Sequence, residues 1–368
     1  MTVTVRPWSF TRRPEPWVFA DEPTPASEFH RSMPGYAPSP LIPVPTLAER
    51  WGVASVWVKD ESDRLGLPAF KVLGASWAVN RAISATAGKP PARTLQELQT
   101  LAADNRTTLI TATDGNHGRA LAYMARLLDL PARIYVPGGL PESTAEAIRG
   151  EGATVIDTGV IYDNAVALAA AETTGRELLI QDTAWQGYEE TPAWIIDGYS
   201  TLFAEIDQQL PEPATTVAVP TGVGSLLQAA LQHYRAADRL IRPSVLAVEP
   251  ATAACVTASL AASRPVSVDT SAPTSMTGLN CGTVSATAWP PIHASLDAAI
   301  GVTDSEAQQA LEFLHQEGIP VGPCGAASLA GLTAAWAAPE GAEILGLGPD
   351  ACVVLLSTEG AAANEGRR

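Results

Sequence analysis

Residues 53–59, VASVWVK, form a nearly continuous apolar run of strand length, and residues 73–88, LGASWAVNRAISATAG, follow with the spacing of a helix. TTLITAT (107–113) is again a strand-like run. The same alternation continues to the end of the chain, with further strand-like runs at TTVAVP (215–220), SVLAVEP (244–250) and ACVVLLS (351–357). Apolar strands between amphipathic helices predict a doubly wound α/β architecture with mostly parallel sheets. So many units exceed one sheet of usual size, and we therefore expect two such domains.

The composition of the chain narrows the class of function. The 368 residues carry a net charge of −16, which disfavours binding to nucleic acid or to an anionic membrane surface. No run of about twenty apolar residues reads as a membrane span, and the first residues lack the apolar segment of a secretory signal. We expect a cytoplasmic enzyme or binding protein. Only three lysines are available for amine chemistry, namely Lys59, Lys71 and Lys89.

The four cysteines do not form a metal or disulfide framework in the sequence. They are dispersed through the last third of the chain without a CxxC pair, at Cys255, Cys281, Cys324 and Cys352. This spacing argues against a structural zinc site or a secreted disulfide scaffold. We expect no metal, and cysteines that serve as small buried apolar residues.

The first turn that could carry chemistry lies in KDESDRLGLPAFKVLGASWA (59–78), where Lys71 stands just before a helix, beside Phe70 and a Gly74–Ser76 turn. Apolar neighbours and the positive end of the helix dipole both favour the neutral amine, so we expect the pKa of Lys71 to lie below its ordinary value of ~10.4. A neutral lysine amine is the nucleophile of Schiff-base chemistry. The alternative is a solvated lysine on a loop.

A second turn, TATDGNHGRA (111–120), joins a strand to a helix. Its short polar side chains, Thr113, Asp114 and Asn116, stand at a helix N-terminus, where exposed N–H groups attract an anion, and Gly115 permits a tight backbone. The alternative is that Asp114 and Asn116 only cap the helix.

A third turn, AVPTGVGSLL (218–227), follows another strand. Gly222 and Gly224 free the backbone to wrap an anion and Ser225 offers a hydroxyl, a combination that suits a phosphate monoester. A dinucleotide site is the rival hypothesis, because Glu249 closes the next strand where a ribose-binding acid would stand. Leu227, however, occupies the place of the third glycine of that fingerprint.

A fourth turn, LLSTEGA (355–361), places Ser357 and Thr358 at the end of the last strand, where either hydroxyl could bond a ring nitrogen. Each turn alone also has an ordinary structural explanation. Together they offer an amine nucleophile, a phosphate cradle, an amide for a phenolic oxygen and a hydroxyl for a pyridine nitrogen. These groups match the functional groups of pyridoxal phosphate.

These segments resemble the pyridoxal-phosphate enzymes of the tryptophan-synthase-β type (fold type II) and, within them, the diaminopropionate ammonia-lyases. The resemblance runs from FHRSMPGYAPSPL (29–41) to LLSTEG (355–360). GNHG (115–118) and the glycine loop are shared by the whole type, whereas AFK (69–71) and QDTAWQGYEE (181–190) are specific to the lyases.

The resemblance implies a role for each candidate residue. Lys71, next to Phe70, is the Schiff-base lysine, Asn116 contacts the phenolic oxygen, and Ser357, or alternatively Thr358, stands near the pyridine nitrogen. The phosphate cradle that it implies consists of Gly222, Val223, Gly224 and Ser225. Asp114 matches the second base of the lyases and Asp182 a substrate-contacting acid, and the predicted substrate contacts are Ser76, Thr113, Asp114, Gly115 and Asp182.

The implied chemistry is β-elimination of ammonia. A hydroxyl at the pyridine nitrogen, in place of a carboxylate, favours prompt loss of a β-leaving group over transamination, and Lys71 and Asp114 would take the Cα proton from opposite faces. Two acids suit a substrate with a second cationic amine, because buried carboxylates cost free energy unless paired. The expected products from 2,3-diaminopropionate are pyruvate and ammonia. The alternatives are β-replacement and dehydration of serine or threonine.

Two segments depart from the lyase pattern. Ala361–Asn364 replace an acidic residue and an Asp-Pro, and VGPCGA (321–326) has Pro323 where the family has an acid. A close β-substituted amino acid therefore remains an alternative substrate. Cys255 and Cys281 coincide with a family pair that can form a disulfide, which we expect to be reduced in cytoplasm.

The resemblance also implies the organisation of the chain. We expect residues 1–80 and 205–368 to form a larger cofactor-binding domain with an N-terminal arm, and residues 81–204 to form a smaller α/β domain. Its expected partners are a small amino-acid substrate and a second copy of the chain, as a homodimer.

Overall fold

The computed structural model describes residues 7–10, 18–19 and 26–364 and divides the chain into two compact units. Among the described residues, the larger unit comprises 7–10, 18–19, Pro38–Ser62 and Leu202–Ala361. The smaller unit comprises 26–37, Asp63–Thr201 and 362–364.

The helices and strands follow in chain order. The strands are β1 (Trp8–Phe10), β2 (Leu41–Pro43), β3 (Ser55–Asp60), β4 (Leu109–Ala112), β5 (Ala132–Val136), β6 (Thr154–Asp157), β7 (Leu178–Leu179), β8 (Thr216–Pro220), β9 (Ser244–Pro250), β10 (Ala298–Val302) and β11 (Cys352–Ser357). The α-helices are α1 (Ser27–Arg31), α2 (Pro45–Trp51), α3 (Lys71–Thr86), α4 (Leu95–Asp104), α5 (Asn116–Leu127), α6 (Glu142–Gly150), α7 (Tyr162–Glu172), α8 (Glu190–Gln209), α9 (Ser225–Tyr234), α10 (Cys255–Ala262), α11 (Trp289–Ser295), α12 (Asp304–Gln316), α13 (Pro323–Trp336) and α14 (Pro339–Ile344).

The larger unit is built on a seven-stranded sheet with the order β1-β10-β9-β8-β11-β3-β2. Its five central strands are parallel, and the edge strands β1 and β2 run antiparallel to their neighbours. The interiors of β8 and β11 are fully buried, as their uniformly apolar sequences predict. Because these two strands are parallel neighbours, the turns that follow them lie at the same edge of the sheet.

The smaller unit is built on a four-stranded, wholly parallel sheet with the order β6-β5-β4-β7. Its core includes Ile110 and Ala112 of β4, Tyr135 of β5 and two alanines of α7. β4 and β7 are neighbours, so the segments that follow them, 113–115 and 180–182, also share one edge. The two predicted acids lie in these segments, Asp114 in the first and Asp182 in the second.

The predicted α/β class with parallel sheets is confirmed, and the compact units of the structure divide the chain at other positions than the expected domains. Residues 26–37 and 63–80 belong to the smaller unit, not to the larger one as predicted. The reason is the packing of α3: Phe29 of α1 lies 6.0 Å from Trp77 between ring centroids, and the start of α3 packs closely on α8. Lys71 is therefore a residue of the smaller unit.

Part of the predicted N-terminal arm is packed. Phe29 is 1% exposed and Phe19 forms an isolated bridge with Ala236, whereas Trp8 is 47% exposed. Trp17 lies outside the described residues. Within the described part of the chain, no helix has the length and hydropathy needed to cross a membrane.

Candidate active site

Lys71 is the first residue of α3 and follows the buried Phe70. The helix begins two residues earlier than the sequence predicted, so Gly74–Ser76 lie within its first turns and do not form a separate turn. The Lys71 Nζ lies 5.6 Å from the centroid of the Phe70 ring, and the lysine side chain is 24% exposed. Of the three lysines, this one combines an apolar neighbour with access from solvent.

A close crossing of α3 and α8 brings Tyr199 to this position. A Cβ atom on Gly74 would lie 2.5 Å from Tyr199 Cε1, and one on Gly198 would lie 2.5 Å from the Leu73 carbonyl oxygen. Glycine at both positions therefore lets the two helices approach. The Tyr199 ring then packs on Phe70 with 4.8 Å between centroids.

The Lys71 amine forms an ion pair with Asp182, with Nζ 2.8 Å from Oδ2. Burial acts to lower the pKa of Lys71, but the Asp182 carboxylate outweighs burial and the net shift is upward. The prediction that the pKa of Lys71 is lowered is therefore wrong. It failed because Asp182 is 111 residues away in the chain and leaves no sign in the sequence around Lys71. Burial also acts to raise the pKa of Asp182, and Lys71 lowers it to about 2.

Tyr199 is fully buried beside the ion pair. Burial raises the pKa of its phenol to about 12, although the Lys71 ammonium acts in the opposite direction. The phenol is therefore neutral at physiological pH, and its hydroxyl can both donate and accept a hydrogen bond. The sequence analysis did not single out Tyr199. Tyr199 lies in the stretch QDTAWQGYEETPAWIIDGYST (181–201), but nothing in the local pattern separates this tyrosine from other aromatic residues of the core.

The turn between β4 and α5 is organised by Thr113. Its Oγ1 accepts hydrogen bonds from the N–H groups of Gly115 (3.0 Å) and Gly118 (3.1 Å). Gly115 has φ +153° and ψ −85°, a conformation that side chains disfavour, and Asn116 is the first residue of α5. The predicted Thr113, Asp114, Gly115 and Asn116 thus lie on one ordered turn of the smaller unit, and Thr113 is 1% exposed.

His117 is a further member of this region that the sequence analysis did not assign. It is 3% exposed, and its Nε2 donates to the Ile180 carbonyl oxygen at 2.7 Å. Burial lowers the pKa of the imidazole, although Asp182 acts to raise it. A neutral ring with a proton on Nε2 keeps the Nδ1 lone pair available next to the Lys71–Asp182 pair.

Ser76, one of the predicted substrate contacts, lies in the interior of the smaller unit. The side chain is fully buried, and its hydroxyl bonds the Leu73 carbonyl oxygen (3.2 Å) and His30 Nε2 (3.1 Å). His30 in turn bonds Thr201 through Nδ1 at 2.7 Å. Ser76 therefore belongs to a buried network that ties α1 to α3, and its contact with a substrate stays a prediction.

The larger unit carries the predicted phosphate turn between β8 and α9. Gly224 has φ +101°, a left-handed conformation that favours glycine, and Ser225 begins α9. A Cβ atom on Gly222 would lie 2.9 Å from Cys281 Sγ, so this position also requires glycine. The Val223 carbonyl oxygen accepts from Ser285 N–H at 2.8 Å, which fixes the turn. Backbone N–H groups at the start of a helix are suited to an anion.

Ser357 ends β11 at the same edge of the sheet. It is 1% exposed, and its Oγ has no hydrogen-bond partner among the described residues. A buried hydroxyl without a partner costs free energy in a finished core, so its position points to a ligand. Thr358, the predicted alternative, is 4% exposed. A Cβ atom on Gly325 would lie 3.1 Å from Ser357 Oγ, which leaves little room behind the hydroxyl.

The other two lysines have different surroundings. Lys59 is fully buried, and its Nζ bonds Glu205 (2.7 Å), Gln209 (2.8 Å) and the Ser39 carbonyl oxygen (2.8 Å). Lys89 is exposed in the turn after α3. Neither lysine has the combination of apolar contact and accessibility that Lys71 has.

Glu249 does not support the dinucleotide hypothesis. Its buried carboxylate accepts hydrogen bonds from Val256 N–H (2.7 Å), Thr257 N–H (2.9 Å) and the Thr257 hydroxyl (2.7 Å) at the start of α10. The oxygens that would bind a ribose are thus used within the protein. Burial raises the pKa of Glu249 to about 7, an increase that these hydrogen bonds limit.

The cysteines are all unbonded. Cys255 is buried with its Sγ 3.8 Å from the Gly222 carbonyl oxygen, and Cys281 is partly exposed, with its Sγ 2.9 Å from the place that a Cβ atom on Gly222 would take. In the divergent VGPCGA segment, Pro323 begins α13, and Cys324 N–H donates to Glu359 at 3.3 Å. The second divergent segment, Ala361–Asn364, is a short 3₁₀ helix.

The chain matches the family model described as "Pyridoxal-phosphate dependent enzyme" over residues 33–358. It is 38% identical over 305 residues to a diaminopropionate ammonia-lyase of Salmonella typhimurium, covering 77% of this chain and 73% of that protein. The chain belongs to the diaminopropionate ammonia-lyase family of pyridoxal-phosphate-dependent enzymes.

Solved structures and other relatives agree with membership of this ammonia-lyase family. The crystal structure of an Escherichia coli diaminopropionate ammonia-lyase with an aminoacrylate–PLP azomethine reaction intermediate superposes with a TM-score of 0.81 at 32% identity, covering 92% of this chain and 90% of that one. An L-threonine dehydratase of Mycobacterium leprae is 32% identical over 232 residues, which is 61% of this chain and 52% of that protein. The ammonia-lyases therefore match more of the chain than the dehydratase does.

The residues of this ammonia-lyase family member fit pyridoxal phosphate, which is its cofactor. The turn at 222–225 has the glycines that an anion cradle needs, the buried Ser357 hydroxyl lacks a protein partner, and Lys71 is an accessible amine. The structure places Lys71, Asp114, Asn116 and Asp182 in the smaller unit. It places the phosphate turn and Ser357 in the larger one.

Proposed function

We propose that this protein eliminates ammonia from 2,3-diaminopropionate or a close β-substituted amino acid. With diaminopropionate, the Cα proton and the β-amino group are lost, and hydrolysis of the resulting enamine gives one pyruvate and two ammonia molecules per substrate and water. The single observation that carries the proposal is the contact of 2.8 Å between Lys71 Nζ and Asp182 Oδ2. It shows a buried carboxylate that accepts a cationic amine at the residue expected to bind the cofactor.

The cofactor, when bound, supplies an aldehyde that condenses with amines and a conjugated ring that withdraws electrons from Cα. We assign its covalent attachment to Lys71 Nζ, its phosphate to the N–H groups of residues 222–225, and its phenolic oxygen to Asn116. Ser357 Oγ is assigned to the pyridine nitrogen, because that buried hydroxyl has no partner within the described protein. A neutral hydroxyl there does not stabilise a positive charge on the nitrogen as a carboxylate would.

Asp182 recognises the second amine of the substrate. With its pKa at about 2 it is ionised throughout the physiological range, and its Oδ2 already binds an ammonium group. Serine and threonine carry a neutral hydroxyl at the same carbon, which gains less from a buried carboxylate than a cation does. Asp182 therefore favours a diamino acid over a hydroxy amino acid.

Lys71 and Asp114 are the two groups assigned to the Cα proton. Lys71 Nζ takes the proton from one face once it is released from its covalent bond and from its own proton, and the Asp114 carboxylate takes it from the other. In support of this pair, Asp114 lies in the turn after β4, and its carboxylate is among the charges that raise the pKa of Lys71. A pair of bases on opposite faces would allow both enantiomers to react.

A pyruvate assay tests the reaction. Purified protein loaded with pyridoxal phosphate is incubated separately with L- and D-2,3-diaminopropionate, L- and D-serine and L-threonine, and keto acid is measured with a Lys71→Ala control. We expect pyruvate from diaminopropionate at a kcat/KM at least tenfold above that for serine. No pyruvate from either enantiomer of diaminopropionate would remove the assignment.

The runner-up is a β-replacement enzyme or a serine/threonine dehydratase, which the partial match to an L-threonine dehydratase favours. Addition of a thiol nucleophile separates these possibilities. A replacement enzyme converts the substrate to a new amino acid and releases little keto acid, whereas a dehydratase releases keto acid fastest from serine or threonine.

Attachment of the cofactor is tested apart from turnover. Reduction with borohydride followed by peptide mapping is expected to find the pyridoxyl group on Lys71. A label on Lys59 or Lys89 would overturn the assigned site. We also propose that the protein is a cytoplasmic homodimer, by its resemblance to the lyases, and light scattering of the purified protein tests the dimer.

A further inference from the structure

Gln181 immediately precedes Asp182 and is fully buried. Its Oε1 accepts two hydrogen bonds from the end of β4, from Ala112 N–H at 2.9 Å and from the Thr111 hydroxyl at 2.9 Å. The neighbouring strand β7 has only two residues, and its backbone pairing with β4 ends with Ile180 N–H on the Ile110 carbonyl oxygen. Beyond that point, the side-chain amide of Gln181 takes the place of the next backbone partner.

The other end of the Gln181 amide reaches the acid. Its Nε2 donates to Asp182 Oδ1 at 3.3 Å and to the Tyr162 hydroxyl at 3.2 Å. The donor from Ala112 is a backbone N–H, so the amide oxygen must face β4 and the NH₂ group must face Asp182. All four hydrogen-bonding positions of the amide are therefore used.

The backbone of Gln181 is also fixed. Its N–H donates to the Tyr188 hydroxyl at 2.9 Å, and this hydroxyl donates to the Leu179 carbonyl oxygen at 2.7 Å. Tyr188 is stacked on Trp185 with 4.3 Å between ring centroids. The residue that precedes Asp182 is thus held by both its backbone and its side chain.

These contacts orient the two oxygens of Asp182 differently. Oδ1 is held by the Gln181 amide and Oδ2 faces Lys71 Nζ. The same glutamine is bonded to the strand that leads directly into the Thr113–Gly115 turn, which carries Asp114. One side chain therefore couples the carboxylate to the turn that carries the second acid.

We propose that Gln181 is a positioning residue that presents Asp182 Oδ2 to the cationic amine and so sets the preference for a diamino acid over serine or threonine. The substrate preference rests on the proposed function, whereas the hold on Asp182 does not. Glutamate at this position could still accept from β4 but could not donate to Asp182, so it would place a second carboxylate against the first. Methionine has a similar length and removes all four side-chain hydrogen bonds.

The matched control is Asn80, another buried amide of the smaller unit. It donates to the Ala92 carbonyl oxygen at 2.7 Å and accepts from Ala92 N–H at 2.8 Å, which fixes the loop after α3. Asn80→Asp makes the same change from a buried amide to an acid as Gln181→Glu, but the hydrogen bonds of Asn80 go to Ala92 and Ser84 and not to Lys71 or Asp182. Loss of stability alone would affect both variants alike.

The first experiment measures specificity in the cofactor-loaded enzyme. For Gln181→Glu and Gln181→Met we expect KM for diaminopropionate to rise about tenfold, as for the loss of a hydrogen bond to a charged group, while kcat/KM for serine changes less than twofold. In Gln181→Glu the acid limb of the pH profile for diaminopropionate should also move to higher pH, because two adjacent carboxylates resist joint ionisation. Equal losses on both substrates, or the same change of preference in Asn80→Asp, would overturn the proposal.

The second experiment does not depend on turnover. In protein prepared without cofactor, labelling of lysines by an amine-specific reagent is followed by mass spectrometry at fixed pH. In Gln181→Met, a less well-placed Asp182 should leave more of the Lys71 amine neutral and accelerate its labelling by roughly tenfold, equivalent to a pKa lower by about one unit. The exposed Lys89 serves as the internal standard. Unchanged labelling of Lys71 would overturn the proposal that Gln181 positions Asp182. Faster labelling in a protein that does not turn over diaminopropionate would support that positioning role and contradict the proposed function.

Discussion

Lys71 and Asp182 form an ion pair with 2.8 Å between Nζ and Oδ2, although 111 positions separate them in the chain. The pair reverses the effect that burial alone would have on the lysine. The apolar surroundings favour a neutral amine, and the carboxylate restores the charge. The lysine that we propose as the Schiff-base nucleophile is therefore an ammonium ion in this ion pair, and the acid that pairs with it is also suited to hold an amine of the substrate.

The ion pair predicts how stability depends on pH. The pKa of Asp182 is about 2 in the folded protein and ~3.9 in an unfolded chain. A carboxylate with a lowered pKa stabilises the folded state above its unfolded pKa, and this stabilisation is lost as the pH falls through the folded value. Without cofactor, we expect the free energy of unfolding of the wild-type protein to exceed that of Asp182→Asn by up to about 2 kcal/mol above pH 5. This difference should shrink steadily below pH 4. Urea unfolding from pH 6 to pH 3 measures it, and a difference independent of pH would contradict the assignment.

Much of the site could be predicted because its parts are local. Lys71 beside Phe70, the Thr113–Asn116 turn and the 222–225 turn are each encoded by a few consecutive residues that follow a strand-like run. Parallel strands then bring such turns to common sheet edges. The alternation of apolar runs was therefore enough to predict the α/β class and to locate the turns in which we propose the site.

The parts that could not be predicted depend on contacts between distant segments. The charge on Lys71 is decided by Asp182, and the orientation of Asp182 is decided by Gln181 through β4. The boundary of the smaller unit depends on the crossing of α3 and α8. Gly74 and Gly198 allow this crossing, but in the sequence alone they look like residues that weaken a helix. Two-residue β7 is too short to produce a pattern, yet it places Asp182 next to β4.

Gly74→Ala tests the helix crossing. Alanine is the better helix former by about 1 kcal/mol, but its Cβ would lie 2.5 Å from Tyr199 Cε1 and 2.7 Å from Ile195 Cγ2 in a fully packed core. The steric overlap should prevail, with a net loss of about 1–3 kcal/mol in unfolding free energy and lower activity as Tyr199 moves away from Phe70. Gly150→Ala, at the end of α6 with no atom within 4 Å of the added Cβ, is the control and should be neutral or slightly stabilising. Urea unfolding measures both variants. Equal unfolding free energies would show that the helix crossing can accommodate the added methyl group, and would contradict the predicted overlap.

Gly222→Ala tests the phosphate turn. The added Cβ would lie 2.9 Å from Cys281 Sγ and 3.3 Å from the Gly278 carbonyl oxygen, so either the Cys281 side chain or the turn must shift. We expect the affinity for pyridoxal phosphate to fall about tenfold, which corresponds to ~1.4 kcal/mol of overpacking. Cys281→Ala removes the nearest atom and should restore part of the loss, giving a coupling between the two sites in a double-mutant cycle. Titration of apoprotein with the cofactor, followed by absorbance, measures the affinity of the wild type, the two single variants and the double variant. If the effects of the two substitutions on this affinity were simply additive, the predicted overlap would be contradicted.

Ser357→Ala separates the role of the hydroxyl in the protein from its role toward the cofactor. Because Ser357 Oγ is buried without a partner in the described protein, its removal should leave the stability of apoprotein unchanged or increase it by about 1 kcal/mol. In the loaded enzyme the same change removes a hydrogen bond to the ring, and kcat should fall about tenfold. Thr358→Val is the comparison, because Thr358 was the alternative donor from the sequence and removal of its hydroxyl should leave kcat within about twofold of wild type. If the valine variant lost the activity and the alanine variant kept it, the ring contact would belong to Thr358. A Ser357→Ala variant that keeps the stability of the apoprotein but loses catalysis distinguishes a ligand-binding hydroxyl from a structural one.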